Sequence, residues 1–383
     1  MDFSESSEHA LMRETLREIG SKYGHRYYQE QARSGGGMAE LWNELGRGGF
    51  LSTNIPEEYG GAGMGISELA LVCEEIARQG CPHIFLIVSP AICASILSRY
   101  GRDEQRKRWL SPMATGEVRV AFAITEPDAG SNTHKLATWA VPDGAGYRLR
   151  GQKYYISGVD QSDAVLVVAR TGTDPRGQAE LSLFIVDTDA PGLTKNVIPM
   201  EIVATEKQFM LFLDDVYVDA DRLVGTPGDG FRQVFSGLNP ERITSAAVMN
   251  GVALYALEKA AGYARERTVW KVPIGAHQGI AHPLAEAKIE VELARLMTTK
   301  AAWLYDHDAD AGEAANMAKF AAAEAADFAL DRAIQTHGGN GLATEYGLAD
   351  LWGVTRLFRL APISREMILN FVAQHSLGLP KSY

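Results

Sequence analysis

Three short stretches of this 383-residue chain bring together residues able to do chemistry. The first is Ala121-Phe-Ala-Ile-Thr-Glu-Pro-Asp-Ala-Gly-Ser-Asn132, an apolar, strand-like run that ends in Thr125 and breaks at Pro127 and Gly130 before Ser131. A strand edge and turn of this kind offers hydroxyls and backbone N–H groups to a polar ligand. The second is Leu238-Asn-Pro-Glu-Arg-Ile243. There Asn239 reads as an N-cap, Pro240 as the first helical residue and Glu241 as a carboxylate of the first turn. Spacing alone leaves two roles open for that glutamate: complement to a helix dipole, or general base. The third is Gln335-Thr-His-Gly-Gly-Asn-Gly341, whose paired glycines stop a helix and allow close backbone approach.

The elements that must position these residues fall into three regions. Residues 1–118 read as helical, with Leu11, Leu16 and Ile19 and then Leu69, Val72, Ile76 and Ala77 at near-helical spacing. Gly-rich breaks at 34–37 and 59–63 separate those helices. Residues 119–228 change to short β-rich runs at 147–150, 164–169, 181–186 and 209–213, bounded by Pro, Gly and Asp. No helical pattern intervenes between them, which predicts an antiparallel sheet or barrel and not βαβ units. Residues 229–383 are helical again, with long candidates at 240–267, 283–305 and the alanine-rich 314–335, then shorter ones at 350–358 and 366–374. Long helices after a sheet predict a bundle, so the fold class is α+β multidomain.

Composition narrows the function. Hydrophobic residues at 46% and charged residues at 22% are those of an ordinary globular protein. A net charge of -11 argues against a nucleic-acid surface. The N-terminal stretch 1–7 is acidic and polar, unlike a signal peptide, and the apolar run 84–88 is too short to span a membrane. Cys73, Cys81 and Cys93 have no metal-ligand spacing; so few thiols point to core packing, a reducing cytoplasmic setting and no metal. Neither Gly-x-Gly-x-x-Gly nor a P-loop is present, so any nucleotide is bound another way.

The segment 121–132 closely resembles the flavin-binding segment of the acyl-CoA dehydrogenase family. Four further matches follow in the family's order or flank it: Ile55-Pro-Glu-Glu-Tyr-Gly-Gly61, Gly151-Gln-Lys-Tyr-Tyr-Ile-Ser157, Tyr263-Ala-Arg-Glu-Arg-Thr-Val-Trp-Lys271 with His277-Gln278, and Gln335–Gly341. The resemblance implies FAD bound between the sheet and the last bundle. It assigns the flavin ring to Phe122, Ile124, Thr125, Ser131, Tyr155, Ile156 and Ser157, with Tyr155 against the ring, Ser157 toward N5 and Thr125 at the pyrimidine edge. It assigns the phosphates and adenosine end to Arg267, Trp270, Gln278, Gln335, Gly338, Gly339 and Ser364, the last of which could equally cap a helix. These groups reach a neighbouring subunit's FAD in the family, which implies a homo-oligomer, commonly a tetramer built as a dimer of dimers. Val269, Trp270 and Lys271 depart from the family's usual Thr/Ser, Phe and Gly.

The resemblance also directs the search for a base. Many members carry it near the C-terminus, where this chain reads Leu360-Ala-Pro-Ile-Ser364 and ungapped counting puts Pro362, or with one shift Ala361, in its place. Other members carry it at the start of the bundle's first helix, which here is Glu241. Arg242 and Ser131 are then expected near the CoA part of an acyl-CoA substrate. The implied reaction is α,β-dehydrogenation to a trans-2-enoyl-CoA, with electrons passed to an electron-transfer flavoprotein. The rival readings on the same fold are an acyl-CoA oxidase, an enoyl-thioester reductase, a carrier-protein-linked tailoring enzyme and a flavin-bearing relative without dehydrogenation.

Overall fold

A computed structural model describes residues 4–381; the first three residues of the acidic N-terminal stretch lie outside the described residues. The chain begins with helices α1 (Ser7–Ser34, broken at Gly24), α2 (Ala39–Arg47) and α3 (Ile66–Arg78). A buried π-helical stretch, Ile87–Ala94, runs into α4 (Ser95–Tyr100) and is followed by α5 (Asp103–Thr115). Each helix turns its apolar stripe inward; Leu69, Val72 and Ile76 of α3 are fully covered, as their spacing predicts.

The middle of the chain forms strands β1 (Val120–Ala123), β2 (Trp139–Asp143), β3 (Gly146–Ser157), β4 (Ala164–Thr173), β5 (Ala179–Asp187), β6 (Leu193–Ile198), β7 (Gln208–Asp219) and β8 (Leu223–Val224). They make one eight-stranded sheet in the order β6-β7-β3-β2-β4-β5-β8, with β1 parallel to β4 off this path. Most pairs are antiparallel, as expected. The barrel alternative is not what forms, because edge strands β6 and β8 do not pair with each other. Two-residue alternation explains the packing. Leu166, Val168, Leu183 and Ile185 face the helical core, while Val165, Val167, Phe184 and Val186 face a second core closed by Leu149 and Ile156 of β3 and Leu211 of β7. The sheet thus curls around its own apolar filling while remaining open.

The C-terminal part packs three long helices, α6 (Gly230–Glu266), α7 (Gln278–Asp306) and α8 (Gly312–His337), with α9 (Trp352–Leu360) and α10 (Arg365–Phe371). A hairpin, β9 (Thr268–Val269) and β10 (Val272–Pro273), joins α6 to α7. Alanines on α8, among them Ala315, Ala318, Ala322 and Ala326, are buried and let the helices approach closely. The expected start of α6 at Pro240 is corrected: the helix begins ten residues earlier, at Gly230, and Pro240 lies inside it. Pro240 has no N–H for the Ser236 carbonyl one turn back. That carbonyl instead accepts a hydrogen bond from the Tyr305 hydroxyl of α7 at 2.7 Å, which removes the usual reason for a helix to end there. Pro283 likewise lies inside α7 and does not begin it.

Candidate active site

The ring side of the site is built where β1 runs out beside β3. The Tyr154 N–H donates to the Thr125 carbonyl at 2.9 Å, and the Lys153 ammonium donates to the Ile124 carbonyl at 3.0 Å and to Glu126 Oε1 at 2.8 Å. Glu126 also accepts from the backbone N–H groups of Ala137 and Thr138 at 2.6 and 3.0 Å. Burial alone would raise this carboxyl, but the Lys153 charge and the converging donors outweigh it and hold Glu126 below the usual carboxylate range. The turn that bears Thr125 is therefore fixed by an ion pair with almost no exposure. Sequence reasoning missed both members, since nothing in their local pattern signals a partner 27 residues away.

A register shift in β3 between Lys153 and Ile156 turns two consecutive tyrosines off the core. Tyr155 takes φ 57°, rare for an aromatic residue, and its ring is half exposed against Tyr154, centroids 4.2 Å apart. Ser157 is partly open, and its hydroxyl lies 3.0–3.1 Å from both side-chain amide atoms of Gln208, a buried partner absent from the sequence reading. The Tyr154–Thr125 bond thus sets Thr125 beside the end of β3 that carries Tyr155 and Ser157. The Ile156 side chain is buried in the sheet's own core and Phe122 packs into the main core, so these two residues offer a ligand their backbone groups. Ile124 is partly buried and Ser131 is exposed on the turn.

Glu241 stands on α6, which packs against the π-helical stretch. The π-helical stretch packs between α6 and β1: Cys93 Sγ lies 3.6 Å from the Ala121 carbonyl, the Ser89 hydroxyl accepts from the Val120 N–H, and Cys93 feels the Glu241 charge. Glu241 is not in the first turn of its helix, and Asn239 is no N-cap; it accepts from Arg242 Nη1 at 2.9 Å. The dipole of a helix start therefore does not act on the carboxyl. Instead, burial pushes it up to about 7 against the pull of Arg242 and Lys319. The residue is still partly exposed. Arg242 is buried, with its guanidinium 5.9 Å from the Phe235 ring and its Nε without a partner. Asn239 and Phe235, with Tyr100, Arg99 and Arg232, line an adjoining cleft of about 220 Å³. A larger recess of about 370 Å³ beside Thr171, Glu180 and Asp229 contains none of the candidate residues.

A second cluster forms at the common end of α6 and α8. Tyr263 stacks on His337 at 4.3 Å, and Asn340 Nδ2 donates to the Tyr263 hydroxyl at 3.1 Å, which ties the glycine turn to the end of α6. Arg267, Trp270, Gln278, Gln335, Gly338 and Gly339 are all exposed there or on the adjacent hairpin. Gly338 has φ 58° and open space where a Cβ would stand. Trp270 is 92% exposed, and it carries the positive φ (61°) at the hairpin tip where the family's glycine was expected one residue later. Ser364 takes the simpler of its two expected roles, accepting from the Met367 N–H as N-cap of α10. Nearby, the Ala361 N–H is spent on the Leu357 carbonyl and Pro362 has none to give.

These residues can hold a flavin nucleotide: an aromatic face and a hydroxyl at one end, and a guanidinium and an open glycine turn at the other. Among the described residues there is no cluster able to hold a metal ion and no helix long and apolar enough to cross a membrane. Cys73, Cys81 and Cys93 are free and buried, as expected of core thiols.

Comparison with known proteins agrees along the full chain. Family profiles for the acyl-CoA dehydrogenase N-terminal, middle and C-terminal domains match residues 6–117, 121–216 and 228–377. The acyl-CoA dehydrogenase FadE12 of Mycobacterium tuberculosis is 54% identical over 383 residues, covering 100% of this chain and 99% of that protein. A glutaryl-coenzyme A dehydrogenase solved with glutaryl-CoA superposes with a TM-score of 0.94 at 31% identity, covering 100% of this chain and 98% of the other. The FAD complex of PigA superposes with a TM-score of 0.93 at 26% identity, over 99% and 100% of the two chains. A helical start, an open curled sheet, a closing bundle and residues suited to a flavin come together in one enzyme, and the chain belongs to the acyl-CoA dehydrogenase family.

Proposed function

We propose that this enzyme oxidises an acyl-CoA thioester between its α and β carbons to the trans-2-enoyl-CoA, with FAD as cofactor and Glu241 as base. The observation that carries this reading is the Glu241 carboxyl of α6, which faces Cys93 of the π-helical stretch packed on β1 and is pushed up to about 7 by burial. A base in that range is about half ionised at neutral pH and binds a proton well, which suits removal of a weakly acidic α-proton. The labour divides among residues 1–118, which supply the π-helical wall, 119–228, which hold the flavin ring, and 229–383, which bring the base and the phosphate contacts. Bound FAD supplies the hydride-accepting N5 atom and a ribityl hydroxyl.

The chain's own residues do the rest. Tyr155 covers the ring and excludes water, Ser157 presents a hydroxyl oriented by Gln208, and Thr125 stands on a turn fixed by Glu126 and Lys153. Arg242 and the cleft beside it receive the CoA side of the substrate. With Ala361 engaged and Pro362 lacking an N–H, the Ile363 N–H is proposed as a donor to the thioester oxygen.

Arg267, Trp270, Gln278, Gln335, Gly338 and Gly339 lie open on the surface, as fits a role toward a neighbouring subunit's FAD. On α7, Ile289, Leu293, Leu296 and Trp303 form an exposed apolar stripe at helical spacing, which supports a homo-oligomer, in this reading a tetramer of two dimers. An electron-transfer flavoprotein is the proposed acceptor. Anaerobic titration with a panel of acyl-CoAs, following flavin bleaching, tests the reading. Glu241→Gln should slow bleaching by about 10²- to 10⁴-fold. A variant that bleaches at the wild-type rate overturns the assignment.

A further inference from the structure

Gln208 opens β7 directly across the ladder from Ser157, the last residue of β3. Their neighbours Phe209 and Ile156 face the sheet's own core, so two-residue alternation turns Gln208 and Ser157 to the opposite face. There Gln208 is buried, while Ser157 stays partly open. The Ser157 hydroxyl lies 3.1 Å from Gln208 Oε1 and 3.0 Å from Gln208 Nε2. Among the described residues, no other group is hydrogen-bonded to either amide atom. A hydroxyl has one proton and two lone pairs, so each contact leaves it a different capacity. Donating to Oε1 leaves a lone pair for a third group that donates; accepting from Nε2 leaves the proton for a third group that accepts. Interchanging the amide's nitrogen and oxygen keeps both arrangements. The backbone under the amide is pinned on two sides. The Gly158 N–H, next to Ser157, donates to the Lys207 carbonyl at 2.9 Å. Two residues before Gln208, the buried Glu206 carboxyl accepts from the Phe85 N–H at 3.1 Å and the Thr205 hydroxyl at 2.9 Å, and lies 2.7 Å from His83 Nδ1. Changing from one arrangement to the other therefore needs only rotation of the Ser157 hydroxyl proton.

We infer that Gln208 is a positioning residue that lets the one Ser157 hydroxyl serve the flavin in both of its redox states. The inference rests on the proposed reading of Ser157 as the residue toward flavin N5. Oxidised N5 carries a lone pair and accepts a hydrogen bond, whereas reduced N5 carries a hydrogen and donates one. With the flavin oxidised, the Ser157 proton points to the ring and Oγ accepts from Gln208 Nε2. Once two electrons and the β-hydrogen have passed to the flavin and the α-proton to the base, Ser157 Oγ accepts from the ring and its proton turns to Gln208 Oε1. A neighbour with a donor alone would favour the oxidised state, and one with an acceptor alone the reduced state. The amide supports both.

The test is release of FAD from the purified holoenzyme, timed in each redox state. For the oxidised enzyme the readout is the rise of free-flavin fluorescence after dilution; for the dithionite-reduced enzyme it is flavin passing an anaerobic filter. Gln208→Met keeps the length of the side chain and removes both contacts. It should release FAD about fivefold faster in both states, the effect of losing one hydrogen bond. Equal acceleration leaves the midpoint potential of the bound flavin at its wild-type value. Acceleration of about tenfold in one state alone would move that two-electron potential by about 30 mV, and it overturns the inference because the amide would then serve one redox form only. Added to Ser157→Ala, Gln208→Met should change neither release rate further. An amide with a merely structural role would speed release with or without the hydroxyl, and that result also overturns the inference. Gln208→Thr, polar but too short to span to Ser157, gives the same readings if the Met variant fails to fold. Release at the wild-type rate by Gln208→Met, with Ser157→Ala faster, overturns this inference alone. Wild-type release by Ser157→Ala would instead overturn the placement of the flavin beside Ser157, so the two failures are distinguishable.

Discussion

Glu126 and Glu241 are both glutamates set against a buried lysine, yet their surroundings push them in opposite directions. Glu126 receives Lys153 and two backbone N–H groups, and these donors bring it below the usual carboxylate range despite burial. Glu241 feels Lys319 and Arg242 only through space, and burial carries it up to about 7. The lysines also differ: Lys153 donates hydrogen bonds to Glu126 and to the Ile124 carbonyl, whereas Lys319 donates to the Ile363 carbonyl. A directly bonded charge together with converging hydrogen-bond donors separates a carboxylate that holds a turn in place from one on which burial prevails.

The largest effect expected from this contrast is on stability. Glu126→Gln would leave the Lys153 ammonium buried without its counter-charge and should cost about 3–5 kcal/mol, read from denaturant midpoints. Because the folded pKa of Glu126 is lowered, its contribution is fully present above the ordinary carboxylate range and fades as pH falls through that lowered value. Unchanged stability would mean that the donors around Glu126 do not hold the turn.

Glu241→Gln should act in the opposite sense. Between about 4.5 and about 7 the folded carboxyl keeps a proton that the unfolded chain releases. The folded state therefore binds more protons across that window, and wild-type stability falls as pH rises through it. The Gln variant escapes this loss and should gain on the order of 2–3 kcal/mol over the wild type at pH 8, relative to the difference at pH 4. Thermal or denaturant unfolding at the two pH values measures it. A difference that does not change with pH would break the comparison, because Glu241 would then titrate like an exposed glutamate.

The parts of this enzyme legible in its sequence are those written in local pattern. Short β-rich runs gave the middle sheet, long apolar periodicity gave the bundle, and Thr125 is bonded to the strand that carries Tyr155 and Ser157. The unread parts depend on contacts between distant segments. Lys153, Gln208 and Lys319 look like ordinary residues of their strands and helix, and only folding brings them to Glu126, Ser157 and Ile363. The same cause displaced Glu241 from the expected first turn, since the Asn-Pro-Glu pattern resembles a helix start when Tyr305, 69 residues from Ser236, is out of view.

That long-range contact supplies the smallest and most local prediction. Tyr305→Phe preserves the ring and removes only the hydroxyl that serves the Ser236 carbonyl. Pro240 cannot replace it, so a buried acceptor is left unpaired, at a cost of about 1–3 kcal/mol. The loss should fall on residues 230–239, the part of α6 before the proline, which includes Phe235 and Asn239 of the cleft beside Arg242. Hydrogen exchange should therefore quicken in that stretch while the rest of α6 stays protected. The pH midpoint of flavin reduction should not move, because Tyr305 is absent from the groups that shift Glu241. If exchange instead quickened along the whole of α6, the helix would owe its continuity to that one hydroxyl, and Glu241, like Glu126, would depend on a committed donor.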